Sequence, residues 1–182
     1  MKSIRNLSNQ SASLPLMADD ILEFHAGRLL LLFKICGVKN RIEGLTKMAK
    51  LDFFVRYPEF FAVACKHLGK EHEALPSLIE SEMVRHHYGP WDKRYYHVLA
   101  YLEGRGLIEV CRDGATIVLS LSPKGDEIAG QLSKQPAYEH LTKHMRSVKH
   151  VLGSRKGARL KKMIYELFDQ EVPRLSIGEA IR

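Results

Sequence analysis

Few residues in this chain combine type and spacing in a way that could support chemistry. His140 and His144 stand one helical turn apart, which would let two imidazoles reach one metal ion. No carboxylate lies between them to serve as a base, and their neighbours are cations that would repel a metal. They read as two solvated histidines on a basic face. His86 and His87 are adjacent and would point to opposite faces of a strand, so no shared ligand follows. Cys36, Cys65 and Cys111 show no CxxC spacing, which argues against a disulfide framework and against a thiolate zinc site. They read as structural thiols in a reducing cytoplasm. The run Gly153-Ser-Arg-Lys-Gly157-Ala158 lacks the length and the terminal Lys-Ser/Thr of a phosphate loop, and no GxGxxG occurs. A glycine-containing basic hinge describes it better. The expectation is a protein without catalytic residues, bound metal or cofactor.

What the chain does carry is charge of one sign. The formal net charge is +7. Between His140 and Tyr165 lie Lys143, Arg146, Lys149, Arg155, Lys156, Arg159, Lys161 and Lys162, with no Asp or Glu among them. A helix that mixes signs gains about 0.2–0.5 kcal/mol from each i,i+4 pair, and this stretch forgoes those pairs. Such asymmetry points to an acidic partner, either a phosphate backbone or an acidic protein surface. For a phosphate backbone, binding would be largely independent of sequence and steeply weakened by salt.

The elements that must position these charges follow from periodicity. Residues 1–17 are polar, lack a period and read as a flexible arm. Asp19 or Asp20 can cap a first helix that ends at Gly37. A second helix is expected from about Ile42 to Tyr57, closed by Pro58, and a third over Glu59–Leu68. After a loop over 69–76, a strand is expected over 78–88, leading to the Gly89-Pro90 turn. Trp91, Tyr95, Val98, Leu99 and Leu102 then define one face of an amphipathic helix over 91–103. Leu107–Val110 and Thr116–Leu121 flank Arg112-Asp113-Gly114 as a hairpin. Ser122-Pro123 announces a helix to about Leu132, because serine caps and proline at the first helical position loses no hydrogen bond. Two helical stretches hinged near Gly153-Ser154 complete the chain, the first with Leu141, Met145, Val148 and Leu152 on the face opposite Lys143, Arg146, Lys149 and His150.

The predicted fold is mainly α with a small β-hairpin: a winged helix-turn-helix core over 18–133, followed by a basic helical extension over 134–182. In that arrangement the helix before the hairpin is the recognition helix. Its outward residues would be Lys93, Arg94, His97 and Tyr101, with Arg112 at the wing tip and Trp91 and Tyr95 in the core. Asp92 and Glu103 on the same helix weaken it as a reader of duplex DNA.

With 182 residues, 45% hydrophobic and 27% charged, the chain has room for one ordinary core. The longest apolar block, Leu29–Phe33, is far too short for a membrane span, and a polar stretch over 6–13 stands where a secretion signal would need its apolar region. Two stretches, Arg41-Ile-Glu-Gly-Leu-Thr-Lys-Met-Ala-Lys-Leu-Asp-Phe-Phe-Val-Arg-Tyr-Pro58 and Ser81–Ile108 with its Tyr88-Gly-Pro90 turn and Arg105-Gly-Leu-Ile108, resemble the small middle components of three-component ABC-ATPase systems found in bacterial defence-type operons. The resemblance covers about residues 20–135. It implies an adaptor between an ATPase and an effector, without chemistry of its own. A turn followed by a helix and Gly-Leu-Ile is also similar to antitoxin-like winged helices, which implies the alternative of a DNA-binding regulator or antitoxin acting as a homodimer.

Overall fold

The computed structural model describes residues 21–71, 83–87, 89–168 and 175–181. The expected arm over 1–17, the Asp19 or Asp20 cap, the loop over 72–76 and the first part of the strand over 78–88 lie outside these residues. The described chain is mainly helical with a small antiparallel sheet. Its elements run α1 (Leu22–Cys36), β1 (Arg41–Glu43), α2 (Leu45–Arg56), α3 (Pro58–His67), β2 (Val84–His86), β3 (Gly89–Trp91), α4 (Tyr95–Gly104), β4 (Ile108–Asp113), β5 (Thr116–Leu121), α5 (Pro123–Leu132), a 3-10 turn (Pro136–Tyr138), α6 (Glu139–Leu152) and α7 (Gly157–Leu167).

Two helices form the centre. In α1 every residue from His25 to Phe33 is buried, and in α2 every residue from Met48 to Arg56. A helix buried all round must be covered on several sides. Here α4, α5 and α6 pack on α1, while α3, α6 and α7 pack on α2. The outer helices are amphipathic in the ordinary way. Leu141, Met145, Val148 and Leu152 of α6, with Leu160, Met163 and Ile164 of α7, join the same core cluster as Leu29, Phe33, Phe53 and Leu102. At roughly 1.5–3 kcal/mol for each large apolar side chain removed from water, that burial holds the basic helices against the rest of the fold.

The three-stranded sheet has the order β1-β5-β4, all antiparallel. The β4–β5 hairpin turns through Gly114, whose φ of 57° suits a two-residue loop. Leu45 is the first residue of α2, three residues later than expected, because Ile42 belongs to β1 and pairs with Leu119. Ile42 is buried between exposed Arg41 and Glu43, so strand alternation puts those two charged residues together on the outer face. The helix expected from Trp91 likewise begins later, at Tyr95. Trp91 closes the β2–β3 hairpin opposite Val84, and the Asp92 carboxylate accepts from the Arg94 backbone N–H at 2.9 Å in the turn that follows. Ser122 caps α5 as expected, its Oγ accepting from the Gly125 N–H at 3.0 Å.

Candidate acidic-partner interface

Two groups of charged residues stand apart in this fold, one sealed and one open. The sealed group joins α1, α2 and the start of α4. Arg28 Nε donates to Asp52 Oδ1 at 3.0 Å and Arg28 Nη2 to Asp52 Oδ2 at 3.3 Å, while the Tyr95 hydroxyl donates to Asp52 Oδ2 at 2.7 Å. Arg56 Nη1 donates to Asp92 Oδ2 at 2.8 Å, and Arg94 reaches Asp92 Oδ1 through Nε at 2.9 Å and Oδ2 through Nη2 at 2.8 Å. Both ring nitrogens of His25 lie 2.9 Å from guanidinium nitrogens, those of Arg28 and Arg94. Arg28, Asp52 and Arg56 are at most 2% exposed. Burial opposes charge on Asp92, but the Arg94 hydrogen bonds and the Arg56 charge outweigh it and hold this carboxyl well below the usual range. Burial and the Asp52 carboxylate push the Tyr95 phenol well up, so it remains a donor.

Every carboxylate oxygen in this group is therefore occupied by a guanidinium, hydroxyl or amide donor. Both carboxylates are also buried, and such a matched, enclosed set of charges fits a structural junction between helices. Arg94, expected on the outer face of a recognition helix, is instead drawn inward to Asp92 and His25. The reason is its position two residues after Asp92, in a turn where side chain and backbone both bond that carboxylate. Lys93, Tyr96 and His97 are exposed, whereas Tyr101 is half-buried. Arg112 is exposed, and its Nε donates to the Gly114 carbonyl at 2.9 Å across the β4–β5 turn.

The basic helices distribute their charges unevenly. Lys143, Arg146, Lys156, Arg159 and Lys162 are exposed, and Lys149, Arg155 and Lys161 are half-buried. Lys149 Nζ donates to the Gly37 carbonyl at the end of α1, which brings α6 beside the start of the β1 turn. Lys161 lies 5.6 Å from the centre of the Tyr165 ring, and Lys162 pairs with Glu166 at 3.5 Å on the surface. His144 is not solvated, contrary to expectation. It is 3% exposed, its Nε2 lies 2.9 Å from the Phe54 carbonyl, and its ring meets Phe61 edge to face. His86 and His87, expected on opposite faces, meet at 5.1 Å between ring centres because His87 lies past the strand end.

The open group is a cleft of about 840 Å³ lined by Val38, Lys39, Arg41, Glu43, Lys47, Thr116, Lys156 and Gly157. Three of its cations, Lys39, Arg41 and Lys47, were not singled out from the sequence. They come from the turn into β1, from β1 and from the first turn of α2, and only the approach of α7 adds Lys156 to them. Gly157 permits that approach: a Cβ there would stand 2.9 Å from the Lys47 amide nitrogen. Lys39 and Asn40 both have positive φ, 52° and 60°, and Val38 and Arg41 exchange backbone hydrogen bonds across them. This is a two-residue turn of the kind that usually carries Asn and Gly. Asn40 was the one signal of it in the sequence. Glu43 is held by Arg41 at 2.6 Å, and that hydrogen bond lowers its pKa.

A second concavity of about 440 Å³, between α1, α4 and α5, is lined mostly by apolar residues such as Phe24, Leu30 and Ile128, and Glu23 is the only charged one among its described lining residues. It offers nothing to an acidic partner. Among the described residues no group of three or more His, Cys, Asp or Glu could hold a metal ion, and no helix is long and apolar enough to cross a membrane. No protein-family model, no curated protein and no solved structure matches this chain.

Proposed function

We propose that this chain is a non-catalytic winged-helix adaptor that links an ATPase to an effector in a bacterial defence-type assembly, presenting its basic side to an acidic partner. Support for the winged-helix reading is the β1-β5-β4 sheet, with α4 placed directly before the β4–β5 hairpin. The observation that carries the adaptor reading over a DNA-reading regulator is the fate of Arg94. With that guanidinium engaged by Asp92 and His25, the exposed side of α4 and its approach offers Lys93, Tyr96 and His97, a poor set for bidentate base contacts. The basic residues instead gather on α6, α7 and the β1 turn.

The test is co-purification of the full chain from its native host. Recovery of an ATPase and an effector at fixed stoichiometry is the expected outcome. Selection from a pool of random duplexes is the complementary measurement. Enrichment of a defined motif, lost on changing Lys93 and His97 to alanine, would replace the adaptor by a dimeric regulator or antitoxin.

A further inference from the structure

The cleft between the β1 turn and the start of α7 gathers cations from separate segments of the chain. Among the described residues four cations, Lys39, Arg41, Lys47 and Lys156, line it, against the single carboxylate of Glu43, which Arg41 already occupies. Among the described residues Lys39, Lys47 and Lys156 have no ion-pair or side-chain hydrogen-bond partner. They are brought together by three separate segments, so their convergence is a property of the fold and not of a local run. Lys47 is half-buried. Its ammonium is lowered from the ordinary value, first by burial and further by the nearby Lys149 charge, while Glu43 acts in the opposite sense. Holding like charges together in a partly dehydrated cleft is unfavourable unless something negative enters. Lys39 adds a second cost, since a non-glycine residue in the left-handed region is disfavoured by about 1–2 kcal/mol.

The lining also says what kind of anion fits. Among the described lining residues Thr116 supplies a hydroxyl, Val38 is the only large apolar side chain, and no aromatic ring is present to stack on a base. A volume of about 840 Å³ exceeds what one phosphate group fills. Cations without a stacking platform or fixed base-edge donors recognise phosphate and not nucleobase.

We propose that this cleft is a phosphate-binding site that takes successive phosphodiesters of a polynucleotide backbone without reading its sequence. The proposal deepens the adaptor reading by naming the acidic ligand, and rests on it only in that an acidic partner exists. Failure to recover protein partners in co-purification would leave the cleft's binding unaffected, so the two readings fail separately.

The experiment uses the full chain, titrated into fluorescently labelled mixed-sequence oligonucleotides, single-stranded and duplex, over a salt series. One variant carries Lys39→Gln, Lys47→Gln and Lys156→Gln; a second, with the same loss of charge, carries Lys66→Gln, Lys70→Gln and Lys134→Gln, exposed positions at and just past the end of α3 and after α5 that belong to neither the cleft nor the basic helices. All six positions face solvent at least in part, and thermal melting verifies that both variants are folded. The cleft variant is expected to bind at least about tenfold more weakly and to flatten the slope of log affinity against log salt by about two to three. The second variant is expected to change affinity by less than about threefold, with a slope change of less than about one. Equal losses in the two variants would overturn the proposal in favour of diffuse attraction. Absence of oligonucleotide binding at low salt would also overturn it. Binding of inorganic pyrophosphate alone, abolished in the cleft variant, would keep a phosphate site but overturn the polynucleotide as its ligand.

Discussion

The junction of α1, α2 and α4 and the cleft beside α7 are both built from cationic and acidic side chains, yet their chemistry is opposite. At the junction each carboxylate oxygen meets a donor within about 3.3 Å, and both carboxylates are buried. At the cleft three lysines face an open space with one acid that is already engaged. Matched charge in the interior joins helices, whereas unmatched charge at a concave surface is available to a ligand. Residue type alone does not separate the two. Arg94 looks like a nucleic-acid contact in the sequence and serves the junction, while Lys39 and Lys47 look unremarkable there and line the cleft.

The sharpest way to break this contrast is at the junction. Asp52→Asn keeps the shape but removes the hydrogen-bonded counter-ion of buried Arg28, leaving it the more distant Asp92 carboxylate at 4.0 Å, and should cost about 3 kcal/mol of unfolding free energy. Urea denaturation followed by circular dichroism measures it. A loss of less than about 1 kcal/mol would mean that the junction is not sealed as described. A smaller effect is expected where the two regions meet through α2. Gly157→Ala places a methyl group against the Lys47 backbone and should cost about 1–3 kcal/mol by pushing α7 outward. The same denaturation measurement should show it, with weaker oligonucleotide binding as a second readout.

Lys50 gives a test of burial without a carboxylate partner. It is fully buried, its ammonium donates to the Pro90 carbonyl at 2.8 Å, and burial reinforced by the Lys161 charge brings its pKa down to about 7. The unfolded chain would titrate this group near 10.4, so between about pH 7 and pH 10 the unfolded state binds the extra proton. Stability from this group therefore rises with pH through that window and is lost as pH falls toward 7. The expected slope approaches about 1 kcal/mol per pH unit, and Lys50→Met should abolish this contribution. Denaturation midpoints at pH 7, 8 and 9, compared between the two proteins, check it. The smallest effect belongs to the cleft. Lys39→Gln with Lys47→Gln should alter unfolding free energy by no more than about 0.5 kcal/mol, because neither side chain has a partner among the described residues to lose. A large destabilisation would make these lysines structural, like the arginines of the junction.

Much of the local structure was legible from the amino-acid order. Ser122-Pro123 specifies the start of α5 through a side-chain cap and a residue that needs no helical N–H, and the alternating strands around Gly114 specify the β4–β5 hairpin. The stripe of Leu141, Met145, Val148 and Leu152 likewise determines which face of α6 is buried. These signals act within a few residues, where backbone geometry makes spacing informative. The tertiary structure decided what no spacing encodes: that Asp52 would meet Arg28 and Tyr95, 24 and 43 positions away, and that Arg94 would reach His25 across 69. It also decided that Ile42 would be drawn out of a helix into a strand by pairing with Leu119. The cleft belongs to the same class. Lys39, Lys47 and Lys156 share one space because hydrophobic burial docks α7 against α2, a non-directional force that leaves no periodic trace in the charged residues it brings together.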